Sequence, residues 1–232
     1  MNARVATYNI RKSVGLDWRR RPDRILKVLR EIAADVVALQ EVDKRFGSRV
    51  STLPAAALAE AGWTAVDLDP ETPGIGWFGN AILLGPRARL VSARGLELPA
   101  LEPRGAAVAE VEIEGRRLRV VGMHLGLTAR LRLRQAAFII AELEARPGPP
   151  TALMGDMNEW RRLAGALELF ARDHVLSPPH PTFHASRPVA ALDRILVGEG
   201  LRLLASRAHH SATARRASDH LPLWADLAFD DA

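Results

Sequence analysis

The chain has 232 residues, of which 48% are hydrophobic and 25% are charged, and it contains no cysteine. These ordinary globular values exclude a disordered chain, and the lack of cysteine excludes disulfides, thiolate zinc sites and cysteine nucleophiles. The net charge is +5, and only Lys12, Lys27 and Lys44 are lysines. This arginine excess indicates either affinity for phosphate or a plain compositional bias.

The N-terminal sequence has no apolar segment typical of a signal peptide, and no run of 18 apolar residues occurs anywhere. We therefore expect a cytoplasmic protein. The length and the absence of a linker or repeat predict a single domain over residues 1–232.

Predicted strands outnumber predicted helices along the chain. Apolar runs predict strands over 5–10, 36–42, 80–84, 106–113, 117–123, 151–155, 192–197 and 220–229. Helical spacing predicts a helix opening at Pro22, one over 52–62, one from Thr128 to about Ala145, and one over 161–171. This mixture of hairpins and helical crossovers favours an α/β domain with two packed sheets.

Polar or ionisable side chains stand at or beside the ends of these strands. They are Asn9, Glu41, Asn80, His124, Asp156, Asn158, Asp193, Asp219 and His220. A charged group beside a buried run is costly unless it is paired or bound to metal. Their recurrence from strand to strand predicts one shared site.

The residue types in this set favour phosphoester chemistry. The carboxylates and amides are hard oxygen ligands, which favour Mg²⁺ or Mn²⁺ over zinc. His124 and His220 can bind or protonate a phosphoryl oxygen, and Asp193 can orient the ring of His220. No serine, cysteine or lysine nucleophile stands out, so water is the expected attacker in a metal-assisted hydrolysis.

Seven segments in order along the chain resemble the endonuclease/exonuclease/phosphatase superfamily, the deoxyribonuclease-I-like enzymes. They are TYNI (7–10), LQEVD (39–43), GNAIL (79–83), MHLG (123–126), GDMNEW (155–160), LDRILV (192–197) and SDHLPL (218–223). Each is weak alone, but the ordered set is specific. The resemblance implies a four-layer α/β/β/α sandwich of two packed mixed β-sheets flanked by helices, with the site at one sheet edge.

The resemblance also implies the metal ligands. Glu41 matches the main Mg²⁺ ligand of the family, and Asn9 matches the neighbouring residue that helps hold metal or phosphate. Asp219 matches a second carboxylate near the metal. Mn²⁺ is the expected substitute for Mg²⁺.

The remaining catalytic roles follow from the same resemblance. Asp156 matches the carboxylate that positions or activates water, and Asp193 matches the acid that pairs with His220. Asp156 and His220 both remain candidates for the base. Asn158 matches a donor to a phosphate oxygen, and His124 matches the histidine of the deoxyribonuclease and sphingomyelinase branches.

Three further residues are predicted to bind substrate: Asn80, Arg104 and Arg130. Asn80 is equally well explained as a turn residue, and the two arginines precede or follow motif segments where a phosphate would lie. The loop aromatics Trp18, Trp77, Phe78 and Trp160 would stack on a base, enter a lipid headgroup region or simply pack on the core.

These observations predict a Mg²⁺-dependent phosphodiesterase or phosphatase acting on a small or lipid-linked phosphodiester. The alternative is an endonuclease or exonuclease acting on DNA or RNA, and a third is a non-catalytic phosphate-binding protein of the same fold. The expected partner is the phosphoester substrate, with nucleic acid and peripheral membrane lipid as candidates. No obligate protein partner is predicted.

Overall fold

The computed structural model describes residues 2–43, 50–72, 74–99 and 104–230. Its strands are β1 (Asn2–Asn9), β2 (Val36–Gln40), β3 (Thr64–Ala65), β4 (Asn80–Leu84), β5 (Ala88–Leu98), β6 (Arg104–Ile113), β7 (Arg116–His124), β8 (Thr151–Asp156), β9 (Val175–Leu176), β10 (Asp193–Val197), β11 (Leu201–Ala208) and β12 (Leu223–Phe229). Its helices are α1 (Pro22–Ile32), α2 (Ala55–Glu60), α3 (Ala129–Glu144), α4 (Ala166–Phe170) and α5 (Ala214–Ala217), with a 3₁₀ turn at Arg11–Ser13.

The strands form two mixed six-stranded sheets. The first sheet has the order β11-β12-β1-β2-β4-β3, and the second has the order β5-β6-β7-β8-β10-β9. One parallel pair lies inside each sheet, β1 with β2 and β7 with β8, and the other pairs are antiparallel. The carboxyl ends of parallel neighbours lie side by side, so residues following these strands meet at one edge.

The two sheets pack face to face and bury the central core between them. The first sheet contributes Val5, Ala38 and Ile82, and the second contributes Val120 and Met154. The approach is tight at Gly122, where an added Cβ would lie 2.9 Å from the Cβ of Ala38. Alternate residues of each strand point to the outer face of its sheet. Many of these outward-pointing residues are also apolar, so each outer face needs a covering layer.

Helices cover both outer faces. Ile25 and Leu29 of α1 pack on the outside of the first sheet. Ile139 of α3 and Phe170 of α4 pack on the outside of the second. Pro22 opens α1, as predicted, and the Oγ1 of Thr128 accepts the amide of Leu131 at the start of α3. The four-layer α/β/β/α sandwich is confirmed.

Several predicted boundaries differ from those of the structure. The helix predicted over 161–171 is reduced to α4, because Gly165 has a non-helical backbone with a φ of +55° and the helix starts only after it, at Ala166. The helix over 52–62 is reduced to α2, and the last strand begins at Leu223, after Pro222. The strands β5 and β11 were not predicted, because their half-exposed residues lack an apolar run.

Within the described ranges, no helix combines the length and the apolar character required to cross a lipid bilayer.

Candidate active site

Polar side chains from both sheets meet at one edge of the sandwich. In the first sheet, β1 ends at Asn9 and β2 is followed by Glu41. In the second sheet, β7 ends at His124 directly opposite Asp156, the last residue of β8. Asp193 opens β10 on the other side of Asp156. The strand register therefore places His124, Asp156 and Asp193 side by side, and it places Asn9 next to the residue before Glu41.

Asp156 lies at the centre of this group. Its Oδ2 accepts a hydrogen bond from Nδ2 of Asn9 at 3.0 Å and lies 3.3 Å from Nε2 of His124. Nε2 of His220 is 3.7 Å from the same oxygen. The backbone amide of Asn158 donates to Oδ1 at 3.1 Å. One buried carboxylate thus contacts nitrogen atoms from both sheets.

The environment of Asp156 perturbs its acidity. Burial, which disfavours the charged form, is the main cause and raises the pKa of Asp156 to about 6. The positive charge of His220 opposes this shift, and the negative charge of Asp193 adds to it. A carboxyl group with such a pKa exchanges protons near neutral pH more readily than an ordinary aspartate.

His220 is held by a second buried carboxylate. Its Nδ1 lies 2.8 Å from Oδ2 of Asp193, which also accepts a hydrogen bond from Oγ1 of Thr182 at 2.6 Å. Burial lowers the pKa of His220, but the negative charge and hydrogen bond of Asp193 outweigh it and raise the pKa to about 10. Sequence reasoning missed Thr182, which lies in a loop outside every motif.

Asn158 is tied to the chain that leaves β7. Its Nδ2 donates to the backbone oxygen of Leu125 at 2.9 Å, and its backbone has a φ of +50°. The side chain therefore lies beside Asp156 and His124. Its role as a donor to a phosphate oxygen stays a prediction.

The carboxylate of Glu41 is ion-paired with the ammonium group of Lys12. Its Oε2 lies 3.1 Å from Nζ of Lys12, and its side chain is 20% exposed. Within the described residues no three histidine, aspartate or glutamate side chains are arranged so that together they could hold a metal ion. The partly exposed carboxylate of Glu41 nevertheless fits a hard divalent cation. It supplies an anionic oxygen, the kind of ligand that such cations prefer, at a position where the ammonium group of Lys12 is already held.

The two other predicted metal ligands are linked through Arg11. Oδ1 of Asn9 accepts the backbone amide of Arg11 at 3.1 Å. Oδ2 of Asp219 lies 3.4 Å from Nε of the same arginine. Ser218 also donates to the backbone oxygen of Asn9 at 2.7 Å, which joins the SDH segment to the end of β1. The predicted metal-binding roles of Asn9 and Asp219 stay predictions.

The predicted substrate-binding residues occupy different environments. Asn80 is buried, and its Nδ2 donates to the backbone oxygen of Gly105 at 2.8 Å, which ties β4 to β6. Arg130 is exposed on the first turn of α3. The side chain of Arg104 lies outside the described part of the structure. Arg132, a neighbour of Arg130, is buried and ion-paired with Glu159 at 2.9 Å.

Aromatic residues flank the site unequally. Trp160 is 66% exposed and meets Phe183 edge-on, with 6.2 Å between ring centroids. Phe183 in turn lies 4.9 Å from the ring of His220. Trp18 is also exposed, under the guanidinium of Arg11. Trp77 instead packs against the sheet and donates its Nε1 proton to the backbone oxygen of Leu96, which is a structural role.

Known proteins share this architecture. A model of the Endonuclease/Exonuclease/phosphatase family matches residues 6–220. YbhP of Escherichia coli K12, itself described as uncharacterized, is 30% identical over 246 residues, covering 97% of this chain and 95% of YbhP.

Two solved structures illustrate the fold. Mannosyl-6-phosphatase Bt3783 of Bacteroides thetaiotaomicron superposes with a TM-score of 0.74 at 18% identity, covering 98% of this chain and 100% of that one. TDP2 of D. rerio, complexed with single-strand DNA product, superposes with a TM-score of 0.73 at 16% identity, covering 98% and 99%. At these identities the likeness concerns the fold alone.

The family match extends from within β1 to His220, so it covers every strand except β12 in whole or in part and includes the edge where the polar residues meet. By this match, the chain belongs to the Endonuclease/Exonuclease/phosphatase family, whose members are hydrolases acting on phosphoester bonds.

Proposed function

We propose that this protein is a divalent-metal-dependent phosphodiesterase that uses water to hydrolyse a small or lipid-linked phosphodiester. The observation that carries the proposal is the convergence of Asn9, His124 and His220 on the buried carboxylate of Asp156. A purely structural aspartate would need fewer nitrogen partners. The alternative of a protein that binds phosphate without catalysis is disfavoured, because phosphate binding alone does not require a buried histidine–carboxylate pair.

Residues of the chain would bind the metal ion and the phosphoryl group and would transfer protons. A Mg²⁺ or Mn²⁺ ion held at Glu41 would polarise the phosphoryl oxygen. Asp156 would accept the proton of an attacking water, the protonated His220 ring 3.7 Å away would donate a proton to the phosphoryl group, and Asp193 keeps that ring in place through Nδ1. His124 and Asn158 would place positive or donor groups near the phosphoryl oxygens.

Exposed groups beside His220 support an organic phosphodiester as substrate. The ring of Trp160 is accessible and linked to His220 through Phe183. Arg161 and Arg162 follow Trp160 and are exposed. An aromatic face and nearby guanidinium groups favour a substrate that carries both an apolar or aromatic group and a phosphate.

A nuclease activity is the second candidate. The net charge of +5 and the exposed arginines at 19–21 favour it, as does the fold shared with TDP2, which was solved with single-strand DNA product. Cleavage of labelled single- and double-stranded DNA across a salt series tests it. Affinity that falls steeply with salt, together with cleavage, would support a nuclease.

Hydrolysis of bis-p-nitrophenyl phosphate tests the principal proposal. We expect turnover with Mg²⁺ or Mn²⁺, no turnover after EDTA treatment, and a loss of at least about 100-fold in Glu41→Gln. Glu114→Gln, an exposed glutamate in the turn between β6 and β7, is the matched control and should retain full activity. Metal-independent turnover, or an active Glu41→Gln, would contradict the proposal.

A further inference from the structure

A cavity of about 540 Å³ lies on the outer side of the second sheet beside β9 and α4. Leu163, Leu176 and Pro179 form part of its apolar wall. Its polar lining includes Arg162 and Arg194. The volume falls within the range of about 300–1,000 Å³ that is typical of small-molecule sites.

Arg194 faces away from the catalytic group. It follows Asp193 on β10, and successive strand residues point to opposite faces of the sheet. Asp193 reaches His220, whereas Leu196, on the same face as Arg194, packs in the outer core with α3 and α4. The cavity is therefore separate from the edge where Asp156 lies.

The side chain of Arg194 is buried without a direct ion pair to any described residue. The residue is only 3% exposed, and its Nε is buried with no hydrogen-bond partner. Throughout the ranges that the structure covers, no carboxylate forms an ion pair with it within 4.0 Å. The nearby charges of Asp193 and Glu159 act on it, but these carboxylates pair with His220 and Arg132 instead. Burial lowers the pKa of Arg194, and an isolated buried charge costs stability.

A second unsatisfied donor borders the same space. Ser177 lines the cavity, and its hydroxyl is buried with no hydrogen-bond partner. Arg162 lines it from the exposed side and adds a second positive charge. The cavity therefore combines two guanidinium groups, a hydroxyl and apolar walls.

We propose that this cavity binds a small organic phosphate, with the phosphate group anchored by Arg194. A guanidinium binds phosphate through two parallel N–H···O bonds, and the second cation favours a doubly charged anion over a carboxylate. The apolar wall contacts the organic part of the ligand. Such a ligand supplies the direct ion pair that Arg194 lacks among the described residues.

Calorimetric titration with phenylphosphonate, which has no phosphoester bond to hydrolyse, tests this site in the full chain with EDTA present. We expect saturable binding that Arg194→Met weakens by at least about tenfold. Arg117→Gln, an exposed arginine on β7 outside the cavity, should bind as the wild type does. Benzoate should bind more weakly than phenylphosphonate. Unchanged affinity in Arg194→Met, or equal affinity for benzoate, would overturn the proposal.

Two further measurements separate this site from the catalytic edge and from a folding defect. Anomalous diffraction from crystals soaked in 4-bromophenylphosphonate should place bromine in the cavity beside Leu176, and bromine found only beside His220 would overturn the proposal. Without ligand, Arg194→Met should melt at the same temperature as the wild type or higher, because it removes an uncompensated charge. If this variant fails to fold, the bromine position in wild-type crystals decides the question.

Discussion

Nδ1 of His220 lies 2.8 Å from Oδ2 of Asp193 and so joins elements of the two different sheets. Asp193 opens β10 of the second sheet, and His220 lies in the segment that leads into β12 of the first, which starts at Leu223. Asn9 and Asp156 bridge the sheets in the same way, at 3.0 Å. The proposed catalytic group is therefore assembled by the packing of the two sheets, and neither sheet contains it alone.

Thr182 should act as a positioning residue for this pair. In Thr182→Val the hydrogen bond to Asp193 is lost while the side-chain volume is kept. We expect kcat to fall about tenfold with KM unchanged, because the His220 ring loses its fixed orientation. Steady-state kinetics with bis-p-nitrophenyl phosphate measures this, and Thr182→Ser should recover most of the activity. Equal kcat in the wild type and in Thr182→Val would exclude the role.

His220→Ala should abolish turnover and leave the fold intact. The expected loss in kcat is about 10²- to 10⁴-fold, the usual contribution of one acid–base group. His184→Ala is a suitable control, because His184 lies beside Phe183 but its ring hydrogen-bonds to Ser186 and not to Asp193. Circular dichroism establishes folding in both variants. A His220→Ala variant with wild-type kcat would exclude this residue from catalysis.

The buried ion pair between Arg132 and Glu159 should matter for stability. Both side chains are nearly inaccessible, at 7% and 6% exposure. Arg132→Met alone leaves a buried carboxylate and should lower the free energy of unfolding by about 3–5 kcal/mol. The double variant Arg132→Met/Glu159→Leu should recover most of this loss. Urea denaturation compares the three proteins, and a double variant less stable than the single one would refute the explanation.

Gly122 should set the distance between the sheets. A Cβ there would meet the Cβ of Ala38 at 2.9 Å, so Gly122→Val overpacks the central core. We expect a loss of about 1–3 kcal/mol in unfolding free energy. In the control Gly115→Ala the new Cβ meets open space, and only the positive φ of +83° is penalised, at about 1 kcal/mol. A loss below about 1 kcal/mol in Gly122→Val would show that the sheets are not tightly packed at Gly122.

The sequence predicted which polar residues lie together at the sheet edge better than it predicted the peripheral elements. Asn9, Asp156 and His220 could be identified because each interrupts or ends a buried apolar run, and strand register brings such ends together. The strands β5 and β11 could not, because at the sheet margins half of their residues are exposed and no apolar run marks them.

Contacts made by loop residues were beyond sequence reasoning. Thr182 reaches Asp193, and Lys12 reaches Glu41, only through the path of the folded chain. Local spacing carries no signal for either contact. The same holds for Arg132, which the folded chain buries in an ion pair with Glu159.

The most direct test of the inter-sheet site is the turnover of bis-p-nitrophenyl phosphate by Asp156→Asn, measured beside the wild type after EDTA treatment and again after addition of Mg²⁺. The wild type should be inactive in EDTA and regain activity with Mg²⁺, while Asp156→Asn should fold normally and stay inactive under both conditions. Full Mg²⁺-dependent turnover by Asp156→Asn would contradict the assignment of this carboxylate as the centre of a phosphoester-hydrolysing site.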